Sequence, residues 1–256
     1  MSRLDRVLAE ATAAYRTFLR RRTAVFFTFF FPILLIVIFA GLIRTQPTAG
    51  GLFSRPIGYY VPGYIATVVL FTPLSRVGSE VARYRDGNRF QKLATTPLTK
   101  LEWLAAQTLV NTLLIGVASA LLVVFLLLLG GSFAPSLWLI PYIIFGSTLF
   151  CGVGALIGRV TSSQDGAISM ANGIALPLLF LSDTFIPLSL FPSWFRPLPL
   201  LSPLTYFARG LRAATYQSPV ESPLLPPMGP LGYFLVLVVL AVVFFLAGGI
   251  GLSWQE

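Results

Sequence analysis

Six apolar stretches without one charged side chain run through this chain, at 24–43, 56–75, 104–129, 136–158, 166–182 and 231–254, and they fill most of its 256 residues. A bilayer core takes about 20 apolar residues per helix, within roughly 17–25. Each stretch meets that range or lies just beyond it. Hydrocarbon offers no partner for backbone N–H and C=O groups, so each stretch must satisfy its own and is predicted to be helical. The expected fold is an all-α membrane protein of six transmembrane helices, forming a single transmembrane domain over residues 1–256.

Composition supports this class. Hydrophobic residues make up 56% of the chain and charged residues 11%, against about a quarter charged in soluble proteins. A pI near 10.2 raises nucleic-acid binding, but the cations lie in short connections between apolar stretches, so no nucleic-acid partner is expected. Cys151 is the single cysteine and can form no internal disulfide. The first apolar run is too long for a signal-peptide core and reads as a retained span.

Arginine and lysine set the orientation. The arm at 1–23, the connection between the second and third spans, and Arg159 together carry thirteen basic residues; Arg44, Arg55, Arg196, Arg209 and Arg212 make five on the other side. The positive-inside rule places the larger set, and with six spans both termini, in the cytoplasm of a multi-pass cell-membrane protein.

Three extramembrane segments stand out. In the arm, Leu4, Val7, Leu8, Ala11, Tyr15, Phe18 and Leu19 recur at helical spacing, with Arg3, Arg6, Glu10, Arg16 and Arg20 mostly opposite. That pattern predicts an amphipathic helix in the interface, its cations near anionic lipid headgroups. The connection at 79–101 carries mixed charge, a break at Gly87 and a stop at Thr96-Pro97. Proline disfavours helix at the residue before it, so a short helix is expected over 89–95. The stretch 183–230 holds ten prolines among apolar residues. It is too broken to span and too apolar to float free, so it reads as a re-entrant or surface-hugging external segment. Trp194 and Tyr206 are expected at headgroup level, and 204–214 as an amphipathic helix with Arg209 and Arg212 on its polar side. Such a stiff apolar segment can act as a lid.

Several functions are disfavoured. No GxxxxGK[ST] loop is present, and neither of the two lysines, Lys92 and Lys100, follows a glycine. The chain is therefore not expected to be a P-loop ATPase. Ion-coupled transporters and channels keep ionisable groups in the membrane core because these are costly there. Here histidine is absent, and Glu80, Asp165 and Asp183 only flank the spans. Asn111 and Asn172 are the strongest polar groups within spans, without the acids, bases or metal ligands that an intramembrane enzyme would need. Asn111, Gln107 and Ser119 read as internal hydrogen-bonding groups, and Gly146, Gly152, Gly154 and Gly158 as sites of close helix packing.

These parts resemble the ABC-2-type permease family. The order is shared: interfacial arm, six spans, a charged second-to-third connection and a long broken last external loop. The charged connection matches with Glu80, Arg83, Arg85, Asp86, Gly87, Leu93 and Thr96-Pro97-Leu98, although the family's acid-rich run is here more basic. The late stretch matches with Pro187, Phe191-Pro192-Ser193-Trp194, Pro203-Leu204-Thr205-Tyr206 and Leu211-Arg212. The resemblance implies that residues 83–98 form a coupling helix for a separate cytoplasmic ABC ATPase, with Glu80, Arg83, Asp86, Gly87, Arg89, Leu93, Thr96 and Pro97 in or beside the contact. That partner would use ATP and Mg, and no cofactor is expected on this chain. A second permease subunit, identical or related, would complete the pathway. Pro187, Pro192, Trp194, Pro203, Tyr206 and Arg212 would form the external gate, and Ser169 and Asn172 would lie near the path. The implied cargo is a drug, lipid or polysaccharide.

Overall fold

The computed structural model describes residues 2–38, 57–128, 133–185, 191–216, 228–252 and 254. Among these, every regular element is helical: α1 (Arg3–Arg20), α2 (Arg22–Ile36), α3 (Ile57–Asp86), α4 (Arg89–Ala94), α5 (Lys100–Leu128), α6 (Leu139–Val160), α7 (Gln164–Leu181), a 3₁₀ turn (Leu198–Leu201), α8 (Pro203–Thr215) and α9 (Pro230–Gly251). Four helices are long and apolar enough to cross a membrane, at Gly58–Asp86, Lys100–Leu128, Leu139–Val160 and Pro230–Gly251. They cover the second, third, fourth and last apolar stretches except for one to three residues at one end of each. The outer end of the first stretch, with Arg44 and Arg55, lies outside the described residues. The fifth stretch is α7, an 18-residue helix that begins with Gln164 and Asp165.

α6 sits at the centre, between α3 and α9. Lipid tails supply no hydrophobic drive for helices to associate, so close backbone approach through small residues carries the packing. A Cβ on Gly158 would stand 2.5 Å from the Gly78 carbonyl oxygen of α3, and one on Gly248 of α9 would stand 2.6 Å from the Gly152 oxygen. Neither position has room for any other residue. α7 lies on α3 through buried Ala167, Ala171 and Ala175.

α1 starts with a reciprocal cap, in which Asp5 N–H donates to Ser2 Oγ and Ser2 N–H to Asp5 Oδ2. Its apolar face is divided. Ala11, Ala14 and Phe18 pack on Ala106, Val110 and Leu114 of α5, whereas Leu4, Leu8, Tyr15 and Leu19 stay exposed. One stripe thus holds the bundle and leaves the other for lipid.

Two expectations change. The connection expected from residue 79 begins later, because 79–86 continue α3 as one 30-residue helix. At 1.5 Å per residue that helix is about 45 Å long, some 15 Å more than a hydrocarbon core. It breaks at Gly87 as expected, and the left-handed residue of the break is Asn88, with φ 52°. Asparagine tolerates that conformation because its short polar side chain bonds locally. Finally, α8 is buried on almost every side, and Arg209 and Arg212 are 1% and 0% exposed. They do not form a polar surface, so α8 lies among the outer ends of α3, α6 and α9 instead of on the membrane surface.

Candidate functional site

The end of the bundle that carries α1 and α4, the inner end, holds the first cluster. Glu80, buried near the inner end of α3, pairs with Arg83 one turn on and with Arg21 at 3.6 Å. Arg85 donates to the carbonyls of Gly158, Arg159 and Thr161. These are the last acceptors of α6, which a cation at a helix C-terminus satisfies. Of the coupling residues named from sequence, Glu80 and Arg83 are therefore held inside the bundle. Asp86, Gly87, Arg89, Thr96 and Pro97 are exposed, and Leu93 is half-buried. Sequence reading placed Arg85 in the charged connection and Arg21 among the arm's cations without assigning either a partner; basic residues beside a predicted helix end were the available signal.

α1 is tied to this platform twice. Arg6 Nη2 donates to Glu102 Oε1 at 2.5 Å and Arg6 Nε to Oε2 at 3.2 Å, in a two-pronged pair. Glu102 also accepts from Thr99 N–H at 2.8 Å, which caps α5. Higher on the arm, the Glu10 carboxyl faces Trp103 of α5 and Tyr84 of α3. Burial pushes it up to about 7, with the indole N–H and the phenol favouring the anion and nearby Glu80 opposing it.

A second cluster lies at the outer end. Asp183, 2% exposed, accepts from Arg209 Nε at 2.5 Å, and Arg212 Nη1 lies 3.9 Å from the same oxygen. Arg212 Nη2 donates to the carbonyls of Asp183 and Thr184, its Nε donates to the Tyr59 carbonyl at 3.2 Å, and its guanidinium lies 4.2 Å from the Tyr59 ring centroid. Thus Arg212, named from sequence in an external gate, binds α8 to the start of α3 and the end of α7. The sequence placed Asp183 only beside a span and missed this pairing.

The rest of the broken segment is braced from within. Tyr206 O–H donates to the Leu200 carbonyl, Thr205 to Pro199 and Ser202 to Leu178. Phe191, Trp194 and Phe195 stack together, and Trp194 remains 72% exposed. Pro192 and Pro203 belong to the same braced run, whereas Pro187 lies outside the described residues. On α7, Ser169 and Asn172 are both exposed on the face turned away from α3. Asn111 is fully buried, but its amide donates to the Gln107 carbonyl of its own helix at 2.8 Å, not to a neighbouring helix.

Three outcomes follow. Asp183→Asn strands two buried guanidiniums and should cost about 3–5 kcal/mol of stability, read as loss of folded, detergent-solubilised protein on heating. Lys92→Gln, on the exposed face of α4, should change the same measurement by less than about 0.5 kcal/mol. For Glu10 the docked arm holds its proton more tightly than a free arm, whose carboxyl has the ordinary 4.5. Docking is then strongest below that value and weakens as pH rises to about 7. Hydrogen exchange of residues 3–20, corrected for intrinsic rates, should be slower at pH 5 than at pH 8. Glu10→Gln should abolish the difference.

The sequence profile of the ABC-2 type transporter family matches residues 7–216, from the arm to the residue after α8. No curated protein matches the chain. The matched region covers most of the chain and, apart from Arg6, the residues of the clusters above, and with four apolar helices of membrane-crossing length the protein belongs to the ABC-2 type transporter family, as a membrane permease subunit of an ABC transporter.

Proposed function

We propose that this subunit forms half of the translocation pathway of an ATP-driven exporter, powered by a separate cytoplasmic ABC ATPase that docks on α4. The observation that carries this reading is α4 itself. It is a six-residue helix set between the left-handed turn at Asn88 and the stop at Pro97, with Arg89, Gln91, Lys92 and Ala94 exposed. A short helix between two backbone breaks, on the basic side of the chain, is suited to docking. Its cations favour an acidic cleft in the partner. ATP and Mg belong to that partner, and this chain carries out no chemistry of its own.

In this reading α2 and α7 are the first and fifth of six spans, and both termini are cytoplasmic. Two such subunits, identical or related, meet around the pathway. The outer face of α7 supports that arrangement: Ser169 and Asn172 are exposed on it beside Gly173, and polar groups facing lipid are costly. The cargo is amphipathic or lipid-like: a drug, lipid or polysaccharide. An ion-coupled mechanism is less well supported, because the buried carboxylates near span ends, Glu80 and Asp183, each already face two arginines.

Joint substitution of Asp86, Arg89 and Leu93 by alanine should abolish co-purification of the ATPase while the permease still inserts. Survival of the complex would place the interface elsewhere. A cysteine at Gln91, in a Cys151→Ser background, should resist an impermeant thiol reagent added to intact cells; its labelling would reverse the orientation.

The braced segment at 191–201 serves as the outer lid of this path. Trp194→Ala with Tyr206→Ala should leave assembly intact and raise ATP hydrolysis relative to transport in reconstituted vesicles. An unchanged ratio would reduce the segment to a passive cap.

A further inference from the structure

α4 has one fully buried side chain, Phe90, which is 3% exposed. Its ring centroid lies 5.3 Å from Tyr84 of α3, 5.3 Å from Trp103 of α5 and 6.0 Å from Trp254 beyond the end of α9. The Trp254 ring is parallel to it within 14°, and the Trp103 ring meets it edge-on at 77°. Tyr84 and Trp103 are themselves 5.5 Å apart. These four rings come from four separate parts of the chain. Val77 and Val81 of α3, Leu104 of α5, Cys151 and Ala155 of α6, and Leu252 complete the cluster around them.

The rest of α4 is less firmly attached. Beside Phe90, Leu93 adds partial apolar contact and the Arg89 guanidinium lies 5.6 Å from the Tyr84 ring centroid, within the same cluster, and the chain on either side passes through the turn at Asn88 and the break at Pro97. A displacement of α4 therefore reaches the membrane helices by way of this ring. Aromatic rings in close-packed surroundings transmit displacement instead of absorbing it, because interiors at crystal-like density have little free volume. The cluster draws on α3, α5, α6 and the end of α9, and includes no residue of α7 or α8. Motion entering at α4 is thus delivered to one side of the bundle.

We propose that Phe90 is the positioning residue that converts movement of α4 into movement of α5 and α9 relative to α7, with Trp103 and Trp254 as the surfaces it bears on. This rests on the reading of α4 as the ATPase-docking helix, and deepens it by naming the route inward.

The test uses the complex with its ATPase, reconstituted in vesicles. Spin labels replace Leu128 at the outer end of α5 and Phe180 at the outer end of α7, which are 80% and 66% exposed, in a Cys151→Ser background. The distance distribution is measured with and without MgATP. Phe90→Leu and Trp254→Leu fill most of the space without a ring stack. Both should retain the ATPase, yet lose at least about fivefold of the nucleotide-driven population shift, the lower range of coupling between distant sites. Trp254→Phe, which keeps a ring, should restore the shift.

A ring that served only to stabilise the fold would lower the melting temperature of both leucine variants and leave their nucleotide-driven shift intact. That result overturns the proposal. If α4 itself is disturbed in Phe90→Leu and the ATPase is lost, Trp254→Leu decides the matter, because it changes nothing on α4: a full shift there likewise overturns the proposal. Wild-type protein that retains no ATPase would remove the exporter reading, and the proposal with it.

Discussion

Close contact between backbones holds the bundle together. With no water to expel between helices, association in lipid depends on how near two helices can come. On α6, glycines meet α3 on one side and α9 on the other, at separations where a single methyl group would collide. α7 then rests on α3 through three alanines, and α8 fits among the outer ends. Remove the narrow α6 faces and neither neighbour has a surface on which to pack.

Charge then fixes what packing alone leaves free. At the inner end, Arg85 neutralises the carbonyl end of α6 while Glu80 gathers Arg83 and Arg21. At the outer end, one carboxylate sits with two guanidiniums, one of which also binds the carbonyls of Asp183, Thr184 and Tyr59. A buried charge without its partner is strongly destabilising, so such groups define one arrangement more than they add net stability. The two ends differ accordingly: Arg83 is partly open to solvent, whereas the outer cluster is sealed.

Much of this architecture was legible. Uninterrupted apolar length announces a membrane helix, a glycine series announces close approach, and a proline after a short polar run marks where α4 ends. What failed to show was pairing across distance. Arg209 and Arg212 lie on a helix with polar periodicity, which reads as a wet face until Asp183, more than twenty residues earlier, is brought beside them. Asn88 took the left-handed position beside a glycine that periodicity alone would favour. The arm's apolar stripe was visible, but its division between α5 and lipid required the neighbour's surface. Likewise Phe90 looked like one apolar residue in a basic connector, since nothing local signals that Trp103 and Trp254 converge on it.

One consequence lies in the length of α3. It runs without interruption from Tyr59, which holds Arg212 at the outer end, to Tyr84, which packs on Phe90 at the inner end. Its close approaches to α6 run from Val69 to Val81, where a Cβ on Gly146, Gly154 or Gly158 would come within 2.5–3.0 Å of it. Taking the middle of that contact, near residue 75, as a fulcrum, the arm to Tyr84 is about 14 Å and the arm to Tyr59 about 24 Å at 1.5 Å per residue. A rigid helix pivoting there would trade force for travel, because a displacement at the Tyr84 end would become one about 1.8 times larger at the Tyr59 end. The proportions of that lever follow from where the glycines of α6 meet α3.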